Sequence, residues 1–218
     1  EQVGEGQIVK RIKKRIEETY STGGSGELIA EKIQLEIFII KRLEFLKSSF
    51  AHRQVGITTR FSATAPISIP PDVLQKVFDG LIKNAIENTP DEGKVEVVVK
   101  RQGEGTLLEV RDFGVGITKE NKTRIFEGFF TTQETMNYSS KRPFDFNAGG
   151  KGADLLRMKI FSERYDFKIG LKSYRCPFLP KDGDPCPGTI SECPHCKDGS
   201  GCHQSVATIF SIYFPPAG

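Results

Sequence analysis

The stretch "PDVLQKVFDGLIKNAIENTP", residues 71–90, decides the fold. Pro71 suits the first turn of a helix, and Val73, Leu74, Val77, Phe78, Leu81, Ile82, Ala85 and Ile86 return at helical spacing. The pattern predicts a helix over 71–88 that ends near Asn88, ahead of Pro90. Asn84 and Asn88 stand four apart and so share a face, one turn above the other. Asn88 could simply end the helix. Asn84 sits among helix formers, where asparagine lowers propensity with no structural return. A neutral amide oxygen facing a cleft can serve a hard cation such as magnesium when phosphates supply most of the charge.

Strands flank this helix. "VGITTRF" (55–61) alternates, and "KVEVVVKR" (94–101) and "TLLEVRD" (106–112) form a hairpin across "QGEG". Asp112 closes the second strand of that pair, and in "DFGVG" Gly114 and Gly116 let the backbone turn sharply and approach a neighbour closely. Many turns look like this, so the pentapeptide alone says little. "RIFEGFF" then clusters Phe126, Phe129 and Phe130 as a packing plug. Residues 131–149 are polar, lose all periodicity and carry Pro143, as a lid or a disordered segment does. In "NAGGKGADLLRMK" (147–159), glycines and Lys151 run into a helical pattern over 153–165, followed by strands "DFKIGLKS" (166–173) and "SVATIFSIYFP" (205–215).

Upstream, Ile8, Ile12, Ile16 and Tyr20 recur every four residues, and "STGGSGE" (21–27) breaks the pattern. A second helix is expected over 28–50 with two apolar lines, Leu28, Leu35, Ile39, Leu43, Leu46 and Phe50 beside Ile29, Ile33, Ile37 and Ile40. Two helices so disposed read as a hairpin that packs on itself and on a partner chain; equally, both lines could face this chain's own core. With 218 residues, 37% of them hydrophobic, the chain can bury one sizeable core beside such a hairpin. A net charge of +3 gives no reason to expect nucleic acid or an acidic membrane as partner. "IFII" (37–40) falls far short of the roughly 20 apolar residues of a membrane span, and no leader is visible. The chain opens at Glu1 rather than Met, as a piece of a longer protein would.

The order of elements resembles one family closely. "LIKNAIENTP", "DFGVG", "IFEGFFTT" and "GGKGADLL" have the sequence and spacing of the N box, first glycine box, F box and second glycine box of sensor histidine kinase ATP-binding domains, which belong with gyrase, Hsp90 and MutL. The resemblance covers about residues 55–174 and resumes in the terminal strand. It implies an α+β fold, a two-layer α/β sandwich of the Bergerat, histidine-kinase-like ATPase type, with a mixed sheet and a preceding helical hairpin. Residues 1–52 would form the hairpin as a dimerisation element, and 53–218 the ATP-binding unit with a Cys-rich insertion at 174–204. By the same resemblance Asn84 coordinates magnesium and Asn88 assists near the phosphates. Asp112 accepts a hydrogen bond from the adenine amino group, while Gly114 and Gly116 make room for the base. Gly150, Lys151 and Gly152 hold the ATP phosphates at a helix N-terminus, with Lys141 or Arg142 of the lid adding charge. The loop is neither G-x-x-x-x-G-K-[ST] nor a dinucleotide fingerprint.

The chain also departs from the family. Asp154 stands where a glycine is usual, an extra carboxylate close to phosphates. Gly80 occupies the position at which the hydrolysing members carry a glutamate base, which favours transfer to a protein side chain over attack by water. The implied activity is γ-phosphoryl transfer to a histidine, with a phosphoacceptor domain and a response regulator as partners, a homodimer through the N-terminal helices, and a cytoplasmic location. A non-catalytic ATP-sensing or partner-binding module is the alternative. The acceptor itself is missing: His52, His195 and His203 are the only histidines, and the first helix carries none.

All five cysteines fall in "CPFLPKDGDPCPGTISECPHCKDGSGCH" (176–203), where relatives have a short loop. A chain without cysteines elsewhere is expected to use them for metal, tetrahedral zinc on Cys186, Cys193, Cys196 and Cys202 with Cys176 left over. Redox-active thiols, a structural disulfide and an iron–sulfur cluster are the alternatives.

Overall fold

A computed structural model describes residues 28–126, 142–148, 153–181, 183–196 and 207–217, with Lys10, Lys14 and Cys202 besides. The elements in chain order are β1 (Glu31–Ile33), α1 (Leu35–Leu46), β2 (Gly56–Phe61), β3 (Ile67–Ile69), α2 (Pro71–Asn88), β4 (Lys94–Gln102), β5 (Gly105–Asp112), α3 (Lys119–Arg124), α4 (Ala153–Arg164), β6 (Lys168–Tyr174) and β7 (Ala207–Phe214).

The main sheet has five strands in the order β2-β4-β5-β7-β6. β2 runs parallel to β4 and every other pair is antiparallel, so the sheet is mixed as expected. The β4–β5 hairpin closes between Gln102 and Gly105, and Gly103 (φ +58°) takes the position at which a II′ turn needs glycine. Along β4, Val95, Val97 and Val99 are buried, while the residues between them are at least partly exposed. One face therefore meets the helices and the other carries charge pairs, Arg60–Glu96 at 2.7 Å and Lys100–Glu109 at 2.9 Å.

α2 covers the apolar face. Pro70 and Pro71 start it, and Val73, Leu74, Val77, Phe78, Leu81, Ile82, Ala85 and Ile86 are all buried. It stops at Thr89, whose hydroxyl turns back to donate to the Ala85 carbonyl at 2.7 Å. α4 supplies Leu155, Met158 and Phe161 to the same apolar cluster.

The expected helix over 28–50 is shorter than its apolar pattern suggests. Residues 31–33 are a strand instead, paired antiparallel with Ile67–Ile69. Gln34 marks the break: its amide donates to the Glu36 carboxylate at 2.8 Å and to the Thr64 carbonyl at 3.0 Å. From there α1 and a 3-10 turn (Lys47–Phe50) bury Leu35, Ile39, Leu46 and Phe50 in the common core. Arg42 grips Asp79 of α2 through two 2.6 Å bonds. Of the two apolar lines, the first thus faces this chain's own core, while Ile37, Ile40 and Phe45 remain exposed. The expected first helix lies outside the described residues except for Lys10 and Lys14, both helical and exposed.

Candidate functional site

The end of α2 and the loop after β5 meet through backbone. Asn84 stands on the last turns of α2, and the Asn88 side-chain amide donates to the Asn84 carbonyl at 2.7 Å. Gly114 lies so close to Asn88 that a Cβ there would sit 1.9 Å from the Asn88 carbonyl oxygen. Only glycine fits that approach. The Gly114 N–H in turn donates to the Asp112 carboxyl at 3.1 Å. Asn84, Asn88, Gly114 and Asp112 therefore form one contiguous run from helix to sheet.

Two groups in this run are poised for a ligand. The Asn84 amide nitrogen is buried and has no hydrogen-bond partner, an unusual state for a buried polar atom. Asp112 is 4% exposed at the end of β5. Burial pushes its carboxyl up to about 7, against the hydrogen bonds from the Gly114 and Thr208 N–H groups that pull it down. An acceptor and a donor supplied from outside fit these two positions: the Asn84 N–H₂ lacks an acceptor such as a phosphate oxygen, and the Asp112 carboxyl keeps acceptor capacity that its surroundings do not exhaust.

Gly116 is held for a different reason. Its φ is +70°, and a Cβ would lie 2.0 Å from the Tyr174 carbonyl oxygen. The glycine box is thus pressed between α2 on one side and the end of β6 on the other. Arg142 is exposed, and its N–H donates to Asp145 at 2.9 Å. Lys141, Gly150, Lys151 and Gly152 lie outside the described residues, as do Phe129 and Phe130, whereas Phe126 packs edge-on against Phe210 with centroids 6.3 Å apart.

Asp154 does not add a bare charge beside this run. Lys83 lies 3.5 Å and Arg157 3.2 Å from its carboxylate, so two cations neutralise it. Its Cβ comes within 3.4 Å of where a side chain at Gly80 would begin. A glutamate at that position would bring a second carboxyl against Asp154.

Three residues escaped the sequence reading. Glu87 is 3% exposed; burial pushes its carboxyl up, while Lys83 and the Phe144 N–H pull it down. Its carboxylate accepts from Phe144 N–H at 3.0 Å and its backbone carbonyl from Asn147 N–H at 2.7 Å, which fastens residues 144–147 to α2. Arg53 has only 4% of its side chain exposed. Its guanidinium donates to Asp91 at 2.8 Å and to the carbonyls of Ile86 at 3.2 Å, Thr89 at 2.7 Å and Phe144 at 2.7 Å. It closes the carbonyl end of α2 that the chain itself leaves open. Lys83 links Glu87 and Asp154. The available signal was spacing: Lys83 and Glu87 stand four apart beside Asn84.

The cysteine segment is bolted to both sides of the run. Asp91 N–H donates to the Gly188 carbonyl at 2.8 Å, Ile190 N–H to the Asp91 carbonyl at 3.1 Å, and Ser191 N–H to Glu92 at 2.7 Å. Cys176 N–H donates to the Val115 carbonyl at 2.9 Å and Arg175 to the Gly116 carbonyl at 3.0 Å. All five cysteines carry free thiols and line one cavity of about 300 Å³ walled by Phe113, Phe178 and prolines. Burial and neighbouring thiols push the Cys186, Cys196 and Cys202 thiols up. The zinc expected on Cys186, Cys193, Cys196 and Cys202 finds no support in this arrangement. Among the described residues no three Cys, His, Asp or Glu side chains gather where one ion could be held. A zinc ion requires four donors about 2.3 Å from a single point, whereas Cys196 here shares side-chain hydrogen bonds with Cys193 and Cys202, contacts from thiol to thiol.

Neither described histidine is presented as an acceptor. His52 is bonded to Asp145 at 2.9 Å, and His195 is stacked on Phe178 with ring centroids 4.6 Å apart. His203 lies outside the described residues. Among the described residues no helix is long and apolar enough to cross a membrane.

A family profile described as "Histidine kinase-, DNA gyrase B-, and HSP90-like ATPase" matches residues 70–211. Sporulation kinase E of Bacillus subtilis (strain 168) is 39% identical over 70 residues, which are 32% of this chain and 10% of that protein. The sensor histidine kinase ZraS of Klebsiella oxytoca is 28% identical over 125 residues, 56% of this chain and 27% of that one. The chain thus spans about a tenth to a quarter of the length of the curated relatives it matches. Among solved structures, full-length ShkA in complex with AMPPNP superposes with a TM-score of 0.63 at 15% identity, over 95% of this chain and 34% of that one. The catalytic domain of histidine kinase ThkA gives 0.57 at 16% identity, over 85% and 95%. At these identities the likeness speaks for the fold. Because the profile spans more than half of the sequence, the chain belongs to the family of histidine kinase-, DNA gyrase B- and HSP90-like ATPases.

Proposed function

We propose that this chain is the ATP-binding catalytic part of a sensor histidine kinase, which passes the γ-phosphoryl group of ATP to a histidine on a partner element and from there to a response regulator. The observation that carries it is the unbroken run Asp112–Gly114–Asn88–Asn84, with a buried carboxyl at one end and an unpartnered amide at the other. Asp112 would accept from the adenine amino group; Asn84 would ligate magnesium through Oδ1, while its unpartnered N–H₂ would donate to a phosphate oxygen, and the metal would neutralise phosphate charge as the group transfers. Asn88 and the segment Gly150–Lys151–Gly152 would approach the phosphates. In such a transfer the protein contributes mainly position and electrostatics.

Gly80 supports transfer rather than hydrolysis, since no base stands there to activate water. The acceptor histidine would come from outside the described residues, because His52 and His195 are engaged elsewhere. Homodimerisation through the N-terminal helices is supported by the exposed line Ile37, Ile40 and Phe45 on α1. A cytoplasmic location agrees with the ATP requirement.

The test is to supply γ-labelled ATP, magnesium and a histidine-bearing helical hairpin. Acid-labile label on the hairpin is expected from the parent chain. Asn84→Ala is expected to lose at least roughly a hundredfold of that rate, since it removes a ligand that acts on the transition-state charge. Wild-type transfer by Asn84→Ala would overturn the site. Tight nucleotide binding with no transfer to any hairpin would instead mark a nucleotide-responsive switch.

A further inference from the structure

The thiols of the inserted segment have no part in phosphoryl transfer, yet three of them are arranged in order. Cys196 shares side-chain hydrogen bonds with both Cys193 and Cys202, so three sulfurs stand in series with Cys196 in the middle. All three are free thiols. The backbone explains one half of this row: Cys196 N–H donates to the Cys193 carbonyl at 3.4 Å, which closes a turn from Cys193 to Cys196. Such a turn holds its end Cα atoms within about 7 Å, and a disulfide bridges Cα atoms up to about 6.8 Å apart. The two sulfurs differ in access. Cys196 is 3% exposed, whereas Cys193 is half-buried in the lining of the cavity.

We propose that Cys193 and Cys196 form a reversible thiol–disulfide site that reacts with a hydroperoxide, and that the disulfide form braces the nucleotide site. Cys193, the accessible sulfur, attacks one peroxide oxygen as its thiolate. A sulfur–oxygen bond forms, the oxygen–oxygen bond breaks, and the alkoxide leaves with the Cys193 proton as an alcohol. Cys196 then attacks the sulfenic sulfur of Cys193. A sulfur–sulfur bond forms, the sulfur–oxygen bond breaks, and hydroxide departs with the Cys196 proton as water. Two thiols and one hydroperoxide thus give one disulfide, one alcohol and one water; the sulfur pair loses two electrons and the peroxide gains them. Cys202 keeps its thiol, and a small thiol reductant restores the pair by exchange.

The reacting turn leads back to a clasp on the end of α2. Cys193 N–H donates to the Ile190 carbonyl at 3.0 Å, and Ile190 N–H to the Asp91 carbonyl at 3.1 Å. The Ser191 N–H and hydroxyl donate to the Glu92 carboxylate at 2.7 and 2.8 Å. The same cavity is lined by Pro90, just after α2, and by Phe113, Gly114 and Val115. A cross-link within residues 193–196 therefore restrains a segment that borders both partners of the approach of Gly114 to Asn88. Less ordering is then left for the nucleotide to impose. The coupling rests on the nucleotide reading given above; the disulfide does not.

The reduced chain is treated with hydrogen peroxide, remaining thiols are alkylated, and disulfides are assigned by mass spectrometry with peptide fragmentation. A Cys193–Cys196 disulfide is expected, with Cys202 alkylated, and dithiothreitol should reverse it. Cys186→Ser should leave it in place. A disulfide joining any other pair, oxidation that stops at sulfinic acid, or thiols left unreacted would overturn the site. Affinity for a fluorescent ATP analogue is then compared between the reduced and oxidised forms of the same chain. The oxidised form is expected to bind about fivefold more tightly, within the ordinary range of coupling between two sites. Equal or weaker binding would overturn the bracing, as would a peroxide effect on affinity that persists in Cys193→Ser. Absence of nucleotide binding in both forms would count against the kinase reading alone, because the mapped disulfide does not depend on it.

Discussion

Replacing Asp112 by asparagine separates what the fold needs from what a nucleotide needs. The carboxyl is fully enclosed, and its pKa rises from 3.8 to about 7 because burial disfavours the charge. A raised folded-state value means that the native protein holds this proton more tightly than the unfolded chain does. The associated stability is complete below about pH 4, and it drains away as pH climbs through 7. A span of about three pH units at about 1.4 kcal/mol each sets an upper bound of about 4 kcal/mol. The amide introduced by Asp112→Asn would carry no charge at any pH, and its Oδ1 could still accept from the Gly114 N–H. Urea unfolding of both proteins at a series of pH values is the assay. The stability of Asp112→Asn relative to the parent should rise by about 1.4 kcal/mol per pH unit between about 4 and 7, then level off. The absolute offset depends on whether the new amide N–H₂ finds an acceptor; the slope does not. Nucleotide affinity should move oppositely. Only the ionised carboxylate is purely an acceptor for an adenine amino group, so the parent should lose about tenfold in affinity per pH unit below about 7. Asp112→Asn should bind weakly at every pH. Parallel stability curves would refute the raised proton affinity of this carboxyl, and parent-like nucleotide binding by Asp112→Asn would refute the acceptor assignment.

Arg53→Ala is expected to cost about 3 kcal/mol in urea unfolding, because three backbone carbonyls and Asp91 lose a buried donor together. Arg53→Lys should recover little of this, since one ammonium cannot reach four acceptors in a planar fork; full recovery by lysine would refute the clamp. Gly114→Ala should weaken ATP-analogue binding by at least roughly tenfold, because its Cβ would collide with the Asn88 carbonyl and push the two halves of the site apart. Gly183→Ala, where a Cβ meets nothing within 4 Å, is the control and should bind like the parent.

What the sequence disclosed follows from what each feature depends on. α2 was legible to the residue, from Pro71 to Asn88, because its start and apolar face are local properties. The β4–β5 hairpin was equally plain, since alternation and the turn glycine sit within one stretch. The stretch 31–33 was misread because its apolar residues satisfy helical spacing; the pairing that makes it a strand is contributed by Ile67–Ile69, far along the chain. Tertiary partners decide such short segments. The same reasoning explains Asp154, which looks like an unwelcome charge until Lys83 and Arg157 are placed around it. Charge partners on separate helices leave no trace in a linear reading.

Arg53 and the cysteine segment carry that logic further. Each is ordinary locally, a basic residue after a helix and a Pro/Gly-rich insertion, yet both converge on the few residues just beyond α2. Arg53 holds Asp91 by its side chain, while Gly188, Ile190 and Ser191 hold Asp91 and Glu92 by backbone and carboxylate. Glu92 adopts φ +67°, a left-handed conformation that a non-glycine residue keeps only where its surroundings insist on it. The turn that positions Asn88 is therefore set jointly by the catalytic fold and by the insertion. An insertion serving only as surface decoration would have no reason to grip the turn on which the approach of Gly114 to Asn88 depends.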